Sequence, residues 1–173
     1  KFTAEITRLP KPLSEAINYF ESLVRVSDLI VAHNAEFDKK WFGLNKLPRI
    51  EKPWICSMDD ITWPADRQLK TRPSVRDLAL AYGVPVWNAH RALTDCIYLA
   101  EVFKRCSDFE KLLIRGLEPK ILVCAEISYE ERHLAKNSGF RWNDAIKGAW
   151  SRKMSRRDIE KLEFPVHEVE SQS

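Results

Sequence analysis

The 173-residue chain reads as an α/β domain followed by a small α+β unit. Three features predict this. A short apolar run, Leu29-Ile30-Val31-Ala32, lies between two segments of helical periodicity, the pattern of a strand buried on both faces of a parallel sheet. Trp54-Ile55-Cys56-Ser57-Met58 repeats the strand signal, and two more helical segments follow it. Beyond Leu117-Glu118-Pro119-Lys120 the pattern starts afresh, with strands and short helices in roughly fifty residues, near the lower limit for independent folding. The domains are therefore drawn as 1–116 and 117–173.

Residues 1–12 end in Leu9-Pro10-Lys11-Pro12, an extended or looped lead. Ser14 is placed as the cap of a helix carrying Ala16, Ile17, Phe20, Leu23 and Val24 at helical spacing. After the 29–32 strand, Asn34 is placed as the N-cap of a helix reaching about Asn45. Ser74 caps a helix with Leu78, Ala79, Ala81 and Tyr82, closed by Gly83 and followed by Pro85. The segment from Ala92 to about Cys106 is the clearest helix, its stripe read as Ala92, Cys96, Leu99 or Ala100, and Phe103. In the second unit the order is a strand over 121–127, a helix over 129–136 ended by Gly139, and a strand pair within 140–154. A short helix capped by Ser155 and a strand over 166–169 complete it.

Composition excludes some classes. With 45% hydrophobic and 31% charged residues the chain has material for a core, and wholesale disorder is not expected. No apolar run reaches the ~18 residues a membrane span requires. Lys1 is not a methionine and no charged-then-apolar leader follows it, so neither a native start nor a signal peptide is visible. The formal net charge of +3 says little about partners, but 132–157 holds eight basic residues against Asp144 alone, interleaved with Phe140, Trp142 and Trp150. Cysteines 56, 96, 106 and 124 form no C-x-x-C pair, so reduced thiols and a cytoplasmic location are the expectation.

Two segments carry the chemistry: Ala32-His33-Asn34-Ala35-Glu36-Phe37-Asp38 and His90-Arg91-Ala92-Leu93-Thr94-Asp95. Asp38 falls in the first turn of a helix that leaves a strand end, where open α/β sheets place ligands. Taken alone, it would merely suit the positive end of a helix. Asp95 flanks the buried stripe of its helix, where a carboxylate must be solvated, paired or bound to a metal. His90 precedes that helix, within reach of the same edge. Two carboxylates and an imidazole suit metal-assisted hydrolysis, with the histidine taking a proton from the attacking water.

On AHNAEFD and HRALTDC the sequence resembles the DEDDh 3′–5′ exonucleases, a DnaQ-like family of RNase H-like fold, and most of all their exonuclease X group. PWICSM followed by a Trp-Pro pair strengthens the likeness, which covers about residues 1–106. The resemblance implies that Asp38 and Asp95 are metal-binding aspartates and His90 the general base. It implies that Asn34 and Phe37 shape the turn and pack near the terminal nucleotide; Arg91 is read as a helix-start or phosphate contact, and His33 as structural. It further implies two Mg²⁺ or Mn²⁺ ions, and a single-stranded or frayed DNA 3′ end as substrate. RNA is the nearest alternative substrate, and a non-catalytic nucleic-acid-binding or polymerase-associated module the alternative of another class. A polymerase or replication partner fits the same family; a membrane does not.

The family's first motif, Asp-x-Glu, should precede these by tens of residues, and the 32 residues before His33 contain none. The chain is therefore expected to be a fragment lacking the first strands of the fold, with little activity alone. In the second unit, Arg141, Trp142, Lys147, Trp150 and Arg152 are the candidate nucleic-acid contacts. The tryptophans stand equally well as members of a small core.

Overall fold

A computed structural model describes residues 12–88 and 91–169. The chain divides into two compact units, Lys1–Cys56 and Ser57–Ser173. Residues 57–116 thus pack in one unit with everything that follows, and the sequence boundary near 117 lies inside it.

In the first unit, helix α1 (Leu13–Val26) leads to strand β1 (Ile30–Ala32), helix α2 (Ala35–Lys39) and strand β2 (Trp54–Cys56). The strands pair in parallel, with Ile30 opposite Trp54 and Ala32 opposite Cys56. A stack of rings fastens α1 to β2. Phe42 lies 5.4 Å from Phe20 on one side and 5.7 Å from Trp54 on the other.

Three expectations are corrected here. Ser14 is not a cap, because α1 already starts at Leu13 and the Pro12 carbonyl accepts the Ala16 N–H at 3.1 Å. The helix after β1 stops at Lys39. Trp41 and Phe42 then bond back only three residues, and the Gly43 N–H turns to the Leu47 and Pro48 carbonyls, closing a chain reversal that holds Asn45. β1 is half-buried rather than enclosed on both faces, in a sheet with two strands among the described residues.

The second unit opens with a coil that holds a 3₁₀ turn (Ala65–Arg67), followed by α3 (Val75–Ala81), α4 (Ala92–Arg105) and α5 (Phe109–Gly116). Ser74 caps α3 as expected, in a reciprocal box with Asp77. The Ser74 N–H, which donates to the Asp77 carboxylate at 3.0 Å, and a 3.0 Å pair with Lys70 hold that carboxyl below its usual range. The buried residues of α4 are Tyr98, Leu99 and Val102, whereas Ala92, Cys96 and Ala100 are exposed. The stripe is therefore rotated from the one expected, and half-buried Asp95 continues it one turn toward the N-terminus. Helix α5, not anticipated, packs through Phe109 onto Phe103 at 4.5 Å, and Phe103 stacks on Trp63 at 6.1 Å.

The chain then builds a four-stranded antiparallel sheet from β3 (Lys120–Ala125), β4 (Arg141–Trp142), β5 (Trp150–Ser155) and β6 (Val166–Glu168), in the order β4-β5-β3-β6. Helices α6 (Arg132–Asn137) and α7 (Arg156–Ile159) complete the unit, with the Ser155 hydroxyl capping α7 at the Asp158 N–H. Val123, Ala135, Phe140, Met154 and Phe164 form one apolar cluster within the unit.

Residues 59–72 are tied to this sheet by charge. Lys120 of β3 pairs with Asp60 at 2.7 Å, both mostly shielded, and inside the coil Arg72 grips Asp59 through two bonds of 2.5 and 3.1 Å. The Thr71 hydroxyl donates to the Asn137 carbonyl.

No helix among the described residues is long and apolar enough to cross a membrane. No disulfide joins cysteines 56, 96, 106 and 124.

Candidate active site and nucleic-acid interface

Asp38 stands in the short helix that leaves β1, just beyond the carboxyl end of a parallel strand pair. The turn is made by Asn34, whose backbone is left-handed at φ 65°. Asparagine tolerates that conformation where most side chains clash. Its role is thus backbone geometry rather than a side-chain cap, which is absent; the Asn34 carbonyl accepts the Phe37 N–H at 2.9 Å. Ala35 is buried, and its N–H points to the Cys56 sulfur of β2 at 3.4 Å, pinning the helix start to the sheet. Burial pushes the Asp38 carboxyl above its ordinary value, opposed by a backbone hydrogen bond.

Phe37, one residue earlier, is 53% exposed. It meets Trp41 edge-on at 6.3 Å, and the Lys40 ammonium lies 4.2 Å from the centre of the Phe37 ring. This is an aromatic surface with a cation beside it, open to solvent.

Asp95 lies in the first turn of α4, its N–H bonded to the Arg91 carbonyl at 2.8 Å. Arg91 occupies the N-cap position in extended backbone, with an exposed side chain and no capping hydrogen bond from it. His90 lies outside the described residues. The loop just before it is anchored by a residue that the sequence reading did not single out. Tyr98 is fully buried, and its hydroxyl oxygen accepts the Trp87 N–H at 2.9 Å and the Asn88 N–H at 3.1 Å. A tyrosine three residues after Asp95 was the available signal, since a buried phenol needs a partner.

Asp38 and Asp95 belong to different compact units, and each is described within its own. Among the described residues, no three His, Cys, Asp or Glu side chains gather as a metal-binding group.

The five basic and aromatic candidates of the sheet separate by position. Trp142 and Trp150 stand directly opposite in the β4–β5 pair, rings 5.8 Å apart and tilted by 57°. Trp142 is 54% exposed, while Trp150 packs against the apolar core. Trp150 is thus a member of the small core, and Trp142 is not. Arg141 is exposed and pairs with Asp144 at 3.1 Å. Lys147 is exposed at the hairpin turn, which Asn143 closes by accepting the Gly148 N–H.

Arg152 has a different setting from the other four. Its guanidinium is largely desolvated, which lowers its pKa while Asp59 and Asp158 oppose the shift, and it donates to the Ser138 and Asp59 carbonyls. Those bonds make it a brace between the sheet and the 59–72 coil.

Residues 121–169, from β3 through β6, match a family described as a domain of unknown function (DUF8626). Comparison with curated proteins and with solved structures gave no match.

Proposed function

We propose that this chain is part of a metal-dependent 3′–5′ exonuclease that hydrolyses the terminal phosphodiester of a single-stranded or frayed DNA end and releases nucleoside monophosphates. The observation that carries this reading is the coincidence of motif and local geometry at Asp38. AHNAEFD sits on a parallel strand end, a left-handed Asn34 turn and a short helix, with its aspartate half-buried and pushed toward protonation. HRALTDC supports it with Asp95 on the continuation of the buried face of α4.

Carboxylates are the donors that a hard divalent cation takes. Asp38 and Asp95 offer carboxylate oxygens, and burial leaves the Asp38 charge poorly compensated, so a cation would relieve it. When bound, Mg²⁺ or Mn²⁺ supplies charge neutralisation at the attacking and leaving oxygens. His90 takes the proton of the attacking water, a role suited to an imidazole titrating near neutrality. Phe37 lies against the terminal base, and Arg91 contacts the phosphate. Tyr98 holds the Trp87–Asn88 loop that precedes the HRALTDC motif. The family pattern needs further carboxylates besides Asp38 and Asp95, so residues 1–173 alone are expected to release little nucleotide.

The test is His90→Ala in the protein expressed from its complete reading frame. It should lower the rate by roughly 10²–10⁴-fold while substrate binding in EDTA stays unchanged. An unaltered rate would remove His90 from the chemistry. Running DNA and RNA oligomers side by side decides the sugar.

A further inference from the structure

The 69–72 coil and the β4–β5 hairpin enclose a groove with a cavity volume of about 830 Å³ in the second unit. Four basic side chains line it, Lys70, Arg72, Lys136 and Arg141, together with Trp142 and Trp150, and among the described residues no carboxylate does. We propose that this groove binds single-stranded nucleic acid, with unpaired bases stacked on Trp142 and the backbone phosphates held by Lys70, Lys136 and Arg141. The proposal takes its ligand class from the nucleic-acid reading above and does not use the catalytic assignment.

The walls are built rather than incidental. Arg72 is fixed by its two bonds to Asp59, so it shapes the coil wall and is not released to a ligand. Thr71 is bound to the Asn137 carbonyl, and Gly139 packs so closely behind it that a Cβ would lie 2.8 Å from the Thr71 methyl. On the opposite wall, register places Trp142 across from Trp150, and the half-buried Trp150 supports the exposed ring.

The chemistry favours a single strand. A solvent-facing indole offers its face to any unpaired base, whereas the bases of a duplex are already stacked on one another. Lys70 and Arg141 each face one acidic partner, Asp77 at 3.0 Å and Asp144 at 3.1 Å. Lys70 is 67% and Arg141 46% exposed, and pairs this open to water are weak enough for a phosphate to displace the carboxylate. Lys136 is exposed on the last turn of α6, beside the same groove. Cations spaced along a groove with a ring between them match the alternation of phosphate and base along a strand.

The experiment measures anisotropy of fluorescein-labelled dT and rU 12-mers, of a duplex of equal length and of a poly-glutamate peptide, with the 173-residue chain in EDTA. The single strands should bind tighter than the duplex or the peptide. Trp142→Ala should weaken them roughly 5- to 150-fold, with Trp142→Phe retaining most of the affinity. Lys70→Gln with Lys136→Gln should reduce the slope of log K against log salt by about 1.4. Lys111→Gln, outside the groove, should change neither quantity. Tighter binding of the duplex or the peptide would overturn the proposal, as would unchanged affinity in Trp142→Ala with an unchanged salt slope in the lysine pair. Chelation separates the two readings: failure of binding in EDTA counts against the groove, and failure of hydrolysis with binding intact counts against the nuclease.

Discussion

Replacing Gly139 by alanine tests whether the 59–72 coil is packed onto the sheet as described. Gly139 has φ +79°, a conformation that raises an alanine by about 1–2 kcal/mol. The added Cβ would also lie 2.8 Å from the Thr71 methyl, 3.0 Å from Arg152 Nη1 and 3.2 Å from its guanidinium carbon. Something must shift, and the groups in the way are those that hydrogen-bond the Asn137 and Ser138 carbonyls. Loosening one or two such bonds costs about 1–2 kcal/mol beyond the backbone effect. Gly148 supplies the control. Its φ is +73°, with nothing within 4 Å of a Cβ there, so Gly148→Ala carries the backbone term alone. In a chain of this size ~1 kcal/mol moves the melting temperature by about 2–4 °C. Gly139→Ala should therefore melt roughly 2–8 °C below Gly148→Ala in tryptophan-fluorescence thermal scans. Thr71→Ser keeps the hydroxyl and removes the methyl, and should recover part of the loss in the Gly139→Ala background. Equal melting of the two alanine variants would refute the close packing of coil on sheet.

Two further outcomes follow from the geometry of the motifs. Tyr98→Phe strips the acceptor from the Trp87 and Asn88 amides, a loss of about 1–3 kcal/mol, and amide hydrogen exchange at those two positions should accelerate; unchanged protection would show that the loop is not anchored there. Asp38 has its carboxyl raised, so the folded state holds the proton more tightly than the unfolded chain, and the penalty grows as pH rises from about 4 through the folded pKa. Asp38→Asn should then melt higher than the parent at pH 7, with the difference vanishing near pH 3, and a variant that melts lower at pH 7 would contradict the burial assigned to this carboxylate.

Local rules made much of the architecture legible. Ser74 caps its helix as read, and the apolar run at Leu29–Ala32 does give a strand of a parallel pair, though over Ile30–Ala32 and only half-buried. Ser155 likewise stands before its short helix as a cap. What escaped depends on facts that spacing does not contain. Helix α4 carries apolar side chains around much of its circumference, and Leu93 and Ile97 are exposed, so the phase of its buried face is settled only by what packs on it. Asn34 is a favoured cap residue and also one of the few that adopts a left-handed turn, and here the turn is what forms. The candidate site divides in the same way. Asp38, Asp95, Trp142 and Arg141 are candidates that motif and composition name. Tyr98 and the groove cations Lys70 and Lys136 are not, because their roles arise where distant segments meet. Arg152 looked like a surface cation because sequence cannot show that Ser138 and Asp59 turn their carbonyls toward it.

The most direct test of the nuclease reading is the product pattern from a 5′-labelled single-stranded DNA oligomer. The protein from the complete reading frame is incubated with Mg²⁺, beside its Asp38→Asn and Asp95→Asn variants. The account predicts a ladder shortened one nucleotide at a time from the 3′ end, lost in both variants and on addition of EDTA. Internal cleavage, an undegraded strand, or a ladder of equal intensity from either variant would contradict it.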